Sequence, residues 1–278
     1  MSIRIVVDSI SDIPAELATK FDISVMPLIV RFGETEYKDG VDLSSDEFYD
    51  RIENGEWPAT SVPSVGEFAN LYENLSVKSD GIISIHVSSK LSGTFNSAVQ
   101  GAAHIDAKCP IEVIDSQQAS MGIGMIALVA AKAIANGDDL KKVVGKVNDA
   151  VSKVQCFALL DTLEYLERGG RIGKGQALLG GLLNFKPILQ LSNGEVFPFA
   201  RPRSRTKGIN KLLETAEEFA PLEAASVMYS TNAGETTPLS EGLTKLTSNN
   251  NSPVIARMGP GLGTHAGPGA LGIALLPQ

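Results

Sequence analysis

The stretch GIISIHVSSKLSGTFNSAVQGAAHI, from Gly81 to Ile105, sets a buried strand, a hydroxyl-rich turn and the start of a helix in immediate succession. Ile82, Ile83, Ile85 and Val87 are apolar and β-branched, the pattern of a strand covered by helices on both faces, and His86 interrupts the run near its end. Ser88, Ser89, Ser92 and Thr94 then gather around Gly93. Phe95, Ala98, Val99 and Ala102 recur at helical spacing, which predicts a helix starting near Ser92 or Thr94 with a hydroxyl as its N-cap. The first turn of such a helix offers unpaired N–H groups and a partial positive charge, and Gly93 has no Cβ to keep a ligand away. An anion fits there, although the same hydroxyls also serve as an ordinary helix cap.

Upstream, Ile3 to Val7 reads as a buried strand ending in Asp8 and Ser9, with a helix opened by Ser11, Asp12 and Pro14. Val25 to Phe32 reads as one strand. Ser44 with Glu47 and Ser64 with Glu67 read as capping boxes. Directly before Ser64 lies a second hydroxyl cluster, Ala59, Thr60, Ser61, Val62 and Pro63. Downstream, Ile111 to Ile114 is a strand ending in Asp115 and Ser116, and a helix from about Ser120 to Asn136 stops at Gly137. Repeated strand, polar turn and helix predict a mostly parallel α/β sheet with helices on both faces and ligands beyond the carboxyl ends of its strands.

A helix from Leu140 to Val154 closes this part, and the texture then changes, which predicts two α/β domains, 1–154 and 155–278. Phe157 to Leu160 reads as a strand, Leu163 to Ile172 as a short helix ended by glycine, and Ala177 to Leu183 as a very apolar helix. Lys186 to Leu191 and Glu195 to Phe199 flank Ser192, Asn193 and Gly194, a strong hairpin signal that makes the second sheet mixed. A helix from Ser204 to Phe219, a strand from Ala225 to Ser230, a helix from Leu239 to Leu246 and a strand from Val254 to Met258 follow. A glycine-rich stretch around His265 leads to a last strand, Ala270 to Leu276.

The 278 residues are 43% hydrophobic and 20% charged, with net charge −8, so nucleic acid is not an expected partner. The start, MSIRIVVDSI, lacks signal-peptide features, Met121 to Ala135 is too short to span a bilayer, and Cys109 and Cys156 lack CxxC spacing; a cytoplasmic location with unreactive thiols is expected. A P-loop fails because Arg168 stands where the first glycine before Gly173-Lys174 belongs. Gly122, Gly124 and Ala127 match GxGxxA inside a helical pattern, where helix packing explains them. His86, His104 and His265 lack metal-ligand spacing, and Ser92 is not in GxSxG. His265 lies among glycines that allow close approach, and Arg171, Arg201, Arg203 and Arg205 are either solvated charges or a grip on an anionic partner.

The segments IVVDSISDIP (Ile5–Pro14), TSVPS (Thr60–Ser64), SSKLSGTFNSA (Ser88–Ala98), VIDSQQASMGIG (Val113–Gly124), LEYLERGGRI (Leu163–Ile172), KPIL (Lys186–Leu189) and HAGPGALGIALL (His265–Leu276) occur in the order of the DegV family, and the chain resembles that family over residues 3–277. The resemblance implies a long-chain fatty acid bound between two α/β domains. It also implies a fatty-acid-binding subunit without turnover, cofactor or metal. Such a subunit presents the acyl carboxylate to a separate ATP-dependent fatty acid kinase subunit, which makes acyl phosphate for phospholipid synthesis, and touches a membrane surface for ligand exchange. The family's carboxylate-binding positions fall on Thr60, Ser92, the Gly93 amide and His265. Arg171 and Arg203 would lie at the site mouth or the kinase-docking face. The sequence departs from the family at Val62, where Gln is common, and at Pro202 beside Arg203. Expected tail-pocket walls are Phe157, Leu178, Leu179, Leu182, Leu183, Phe185 and Ile188. The alternatives are an enzyme, either a hydrolase using Ser92 and His265 or a small-molecule kinase, and a lipid-sensing interaction protein.

Overall fold

The β-branched runs around Gly81–Ile105 become parallel strands, because each is apolar on both faces and each is followed by enough chain for a crossover. The computed structural model describes residues 2–178 and 185–278. Strand β1 (Ile3–Asp8), helix α1 (Ala15–Lys20) and strand β2 (Ile23–Met26) form the first unit, and β3 (Ile29–Phe32), β4 (Thr35–Lys38), α2 (Ser45–Glu53) and β5 (Pro58–Ser61) follow. Helix α3 (Val65–Ser76), β6 (Gly81–His86), α4 (Thr94–Ala103), β7 (Ile111–Asp115), α5 (Met121–Ala135) and α6 (Leu140–Lys153) complete this half. β2, β1, β6 and β7 lie side by side in that order, all parallel. Every residue of β6 is buried. Val6 and Ile82 face Phe68 and Tyr72 of α3 and Ala98 of α4. Ile5, Val7, Ile83 and Ile85 face Ile123, Ile126 and Val147 of α5 and α6, so helices cover both faces.

Val25 to Phe32 is two strands rather than one. Pro27, which cannot donate to a ladder, separates β2 from β3, and β3 leaves the parallel sheet to pair antiparallel with β4 and β5. Thr60 and Ser61 consequently lie in strand β5, opposite Val30 and Ile29, rather than in a turn. The Ser64–Glu67 capping box is complete, whereas at Ser44 the hydroxyl accepts from the Glu47 amide as half of a box. Helix α4 begins at Thr94 with Gly93 as its N-cap, so the hydroxyl that serves the helix start is Ser92, one residue before the cap, which accepts from the Thr94 amide.

The second sheet is mixed. β8 (Gln155–Leu159), α7 (Glu164–Arg168), β9 (Ile188–Ser192), β10 (Glu195–Ala200), α8 (Arg205–Glu218), β11 (Leu222–Tyr229), α9 (Thr236–Leu246), β12 (Val254–Arg257), α10 (Pro260–Ala266) and β13 (Leu271–Pro277) supply it, in strand order β10, β9, β8, β13, β11, β12. Only the β11–β12 pair is parallel. The predicted hairpin is present, with Asn193 at φ 50° and Gly194 at φ 77°, the backbone of a two-residue turn matched to strand twist. Side chains alternate across this sheet. Phe157, Leu159, Ile188, Val227 and Ile273 pack on Leu212 and Leu239 of α8 and α9, while Cys156, Leu189, Met228 and Ala274 join the core shared with the first half.

Two expectations change here. The glycine-rich stretch before β13 contains a helix, α10, with Pro260 at its first turn. Phe157 and Ile188, expected as tail-pocket walls, face the opposite core beneath α8 and α9. Leu178 and Phe185 belong to the shared core, Gly173–Leu178 is a 3-10 turn, and Leu179, Leu182 and Leu183 lie outside the described residues, as does most of the predicted Ala177–Leu183 helix. Among the described residues no helix is long and apolar enough to cross a membrane.

Candidate functional site

Three separated segments converge at one point: the end of β5 with Thr60, the loop between β6 and α4 with Leu91, Ser92 and Gly93, and the end of α10 with His265. The β6 loop leaves the sheet at Asp8, whose carboxylate accepts from the Val87 amide at 2.9 Å and faces the His86 Nδ1 at 3.0 Å. The turn then closes by Leu91 and Ser92 amides donating to the Ser88 carbonyl at 2.9 and 3.0 Å. From the second half, Ser88 Oγ donates to the Gly194 carbonyl at 2.7 Å, so the β9–β10 hairpin tip braces the same loop.

Thr60 Oγ1 and His265 Nε2 are 3.0 Å apart, across more than two hundred residues of sequence. Burial, and then the Arg171 charge, push the His265 pKa down to about 4, so the ring is neutral near pH 7. Its Nδ1 is buried without a partner. A buried orphan N–H is rarer than an orphan acceptor, which assigns the ring proton to Nε2, donating to Thr60 Oγ1. The Thr60 hydroxyl proton is then free for a ligand. Ser92 Oγ accepts from the Thr94 amide at 3.3 Å and lies 2.9 Å from Thr94 Oγ1; with Thr94 donating, its own proton is also free. A Cβ built on Gly93 would meet only Val62 Cγ1, at 3.7 Å, which leaves its backbone open.

Arg171 ties the two sides together. Its Nε donates to the Leu91 carbonyl at 3.1 Å, beside Ser92, and its Nη1 to the Gly169 carbonyl at 2.6 Å. Gly169 in turn lies so close under the His265 ring that a Cβ there would stand 2.2 Å from Nδ1. Arg203 is exposed and lines none of the cavities around this point; Arg205 is committed to Glu235 at 2.6 Å and to Asp161 at 3.3 Å.

Inward from Thr60, Ser92, Arg171 and His265 opens a cavity of about 950 Å³ of atom-free space, partly continuous with solvent. Its walls are mainly Leu, Ile, Val, Ala and Met, from Ile10, Leu28 and Val87 on one side to Leu160, Leu189 and Leu262 on the other. Outward lie two surface cavities: one shares Ser92 and Arg171 and adds Gly93 and Lys90, and the other shares Thr60, Arg171 and His265 and adds Trp57 and Arg168. The apolar interior suits an apolar tail and the polar junction a small anionic head, reachable from outside. Cys156 lines the inner cavity, and burial pushes its thiol up to about 12, which leaves it unreactive at neutral pH. Ser120, Met228 and Met258 also line it and were not singled out in the sequence, because nothing local marks a residue whose partner surface comes from another half.

The hydrolase alternative finds no support in this geometry: His265 bonds Thr60, and Ser92 bonds Thr94. A Ser84–His86–Asp8 chain does exist, with Ser84 Oγ 2.7 Å from His86 Nε2, but all three side chains are fully buried and Tyr72 covers the serine at 2.8 Å. It is a structural tie between β1, β6 and α3.

The pattern of the DegV family of uncharacterised proteins matches residues 2–278. A DegV domain-containing protein of Caldanaerobacter subterraneus is 36% identical, covering 98% of this chain and 97% of its own, and the DegV protein of Bacillus subtilis is 35% identical over 98% of each. Among solved structures, a fatty-acid-binding DegV family protein from Thermus thermophilus superposes with a TM-score of 0.93 at 31% identity over 100% of both chains. The Bacillus subtilis DegV crystal structure, that of a fatty acid binding protein, does so with a TM-score of 0.89 at 34% identity, again over 100% of both. With the family pattern spanning the chain end to end, this protein belongs to the DegV family.

Proposed function

We propose that this chain binds a long-chain fatty acid, the tail in the inner cavity and the carboxylate at Thr60, Ser92, the Gly93 amide and His265. The observation that carries the reading is the largely apolar cavity with Thr60, Ser92, Arg171 and His265 gathered at its mouth, where the Thr60 and Ser92 hydroxyls can turn their protons to a ligand. About fifteen methylenes at about 0.8 kcal/mol each offer on the order of 12 kcal/mol before ordering costs, so the tail supplies affinity. The hydroxyls offset dehydration of the carboxylate by roughly 1.5–3 kcal/mol per charge-assisted bond and fix its register. The likeness to fatty-acid-binding DegV structures supports the same ligand class.

We place the site between two domains, 1–154 and 155–278; the head is reachable from two surface cavities, which suits presentation to another protein. We read the chain as a cytoplasmic carrier without turnover of its own. It delivers the acid to an ATP-dependent kinase subunit for acyl phosphate formation, with Arg171 at the mouth and Arg203 on the docking face. Native mass spectrometry of the purified protein tests the ligand: one fatty acid per chain is expected. An empty protein that takes up no added acid would sink the reading, and ATP turnover by the chain alone would favour the kinase alternative.

A further inference from the structure

The inner cavity runs across the second sheet. Val196 on β10 lines both this cavity and the surface cavity that holds Ser92, Gly93 and Arg171, which places the polar end over β10. Met228 on β11 lines it too, and β10 and β11 are separated by β9, β8 and β13. Four interstrand steps of about 4.8 Å set Met228 roughly 19 Å from the polar end. Met258 lies just before α10, whose last turn carries His265, and its thioether end sits beside that of Met228 over Gly272, at the same remote end.

Between these methionines the sheet is hollowed. Gly272 on β13 pairs with Met228 on one side and Ala158 on the other. A Cβ on Gly272 would stand 2.9 Å from Met228 Cε and 3.6 Å from Met258 Cε, so both thioether ends lie over the space its missing side chain leaves. Both side chains are almost wholly buried, at 1% and 2% exposure. Methionine has three rotatable bonds and no branch, so it fills or vacates such a space at low cost. We propose that Met228 and Met258, lying over Gly272, form a movable end wall that sets the length of the acyl chain the protein accepts. This rests on the fatty-acid reading. The wall yields to chains that differ by a few carbons, so the protein carries a spread of lengths rather than one acid.

The test is chromatography of the acids released from the wild type, Met228→Ala, Met258→Ala and Gly272→Ala, followed by competition among saturated acids of graded length. Two methylenes are worth about a fifteen-fold change in affinity. Either methionine truncation should move the preferred acid about two carbons longer, and Gly272→Ala, by driving the thioethers inward, about two carbons shorter. Gly272→Ala also brings a Cβ within 3.0 Å of the Phe157 carbonyl; if that variant does not fold, the two methionine variants decide. Folded, loaded Met228→Ala and Met258→Ala proteins with the wild-type length profile would overturn the wall alone. A wild type that binds no fatty acid would overturn the function and the wall with it.

Discussion

The hydroxyl of Thr60 both bonds the His265 ring and lines the cavity, so its loss is felt on both sides. Thr60→Ala should leave the His265 Nε2–H buried without an acceptor and remove one donor to the carboxylate. At about 1.5–3 kcal/mol the affinity for a long-chain acid should fall roughly tenfold to a hundredfold. Displacement of a fluorescent fatty acid measures this, and unchanged affinity in both Thr60→Ala and Ser92→Ala would remove the carboxylate from this site. Thr60, Ser92 and His265 were singled out in the sequence, Ser92 as turn chemistry and all three through the family likeness, although Thr60 lies in strand β5 rather than in a turn. The ring's proton, the clamp of Arg171 and the glycine floor at Gly169 were not, because each depends on a neighbour brought in by tertiary proximity.

At the scale of elements, the β9–β10 hairpin was read correctly from Ser192, Asn193 and Gly194, yet its purpose was invisible: its tip braces the Ser92 loop through Ser88. Gly194 has φ 77°, and a Cβ there would stand 2.5 Å from Ser88 Oγ. Gly194→Ala should therefore cost about 1–2 kcal/mol in backbone strain alone, with further loss from displacing Ser88. Thermal unfolding should show a midpoint several degrees lower, and an unchanged midpoint would mean the hairpin does not brace the loop. Helix α10 was missed because Gly259, Gly261 and Gly263 argue for a loop by propensity. Tertiary partners override that preference: Gly259 donates to Asp12 at 2.8 Å, a Cβ at Gly261 would meet Asp39 Oδ2, and one at Gly263 would come within 2.6 Å of Phe48 and Tyr49. The glycines are there for close approach of the helix to the first half.

For the whole molecule, buried carboxyls and a buried imidazole pull stability in opposite directions with pH. Burial pushes Asp39 up to about 6, so its contribution is fully present below the ordinary carboxylate range and is lost as pH rises through about 6; burial pushes Asp12 upward as well, so its contribution too is lost on going to higher pH. His265, lowered to about 4 by burial and Arg171, contributes stability above its unfolded value near 6.5 and loses it as pH falls toward 4. In the wild type these offset each other between about pH 4 and 6. His265→Gln removes one side, so relative to wild type it should gain about 2 kcal/mol on going from pH near 7.5 to pH near 5. Urea unfolding at the two pH values reads this directly, and an equal difference at both would take His265 out of the balance.

By itself the sequence determined much of the local order: the strands of the parallel sheet, where most helices begin and end, the hairpin, the α/β class and the family, since these follow from periodicity, caps and motifs within short windows. Only the tertiary structure decided that Val25 to Phe32 divides between two sheets, that Phe157 and Ile188 turn away from the cavity, and that Met228 and Met258 meet over Gly272. The physical reason is common to all three. Which face of a strand meets a cavity, and which remote side chain fills a missing Cβ, depends on sheet order and packing between segments far apart in the chain, and no local pattern encodes it.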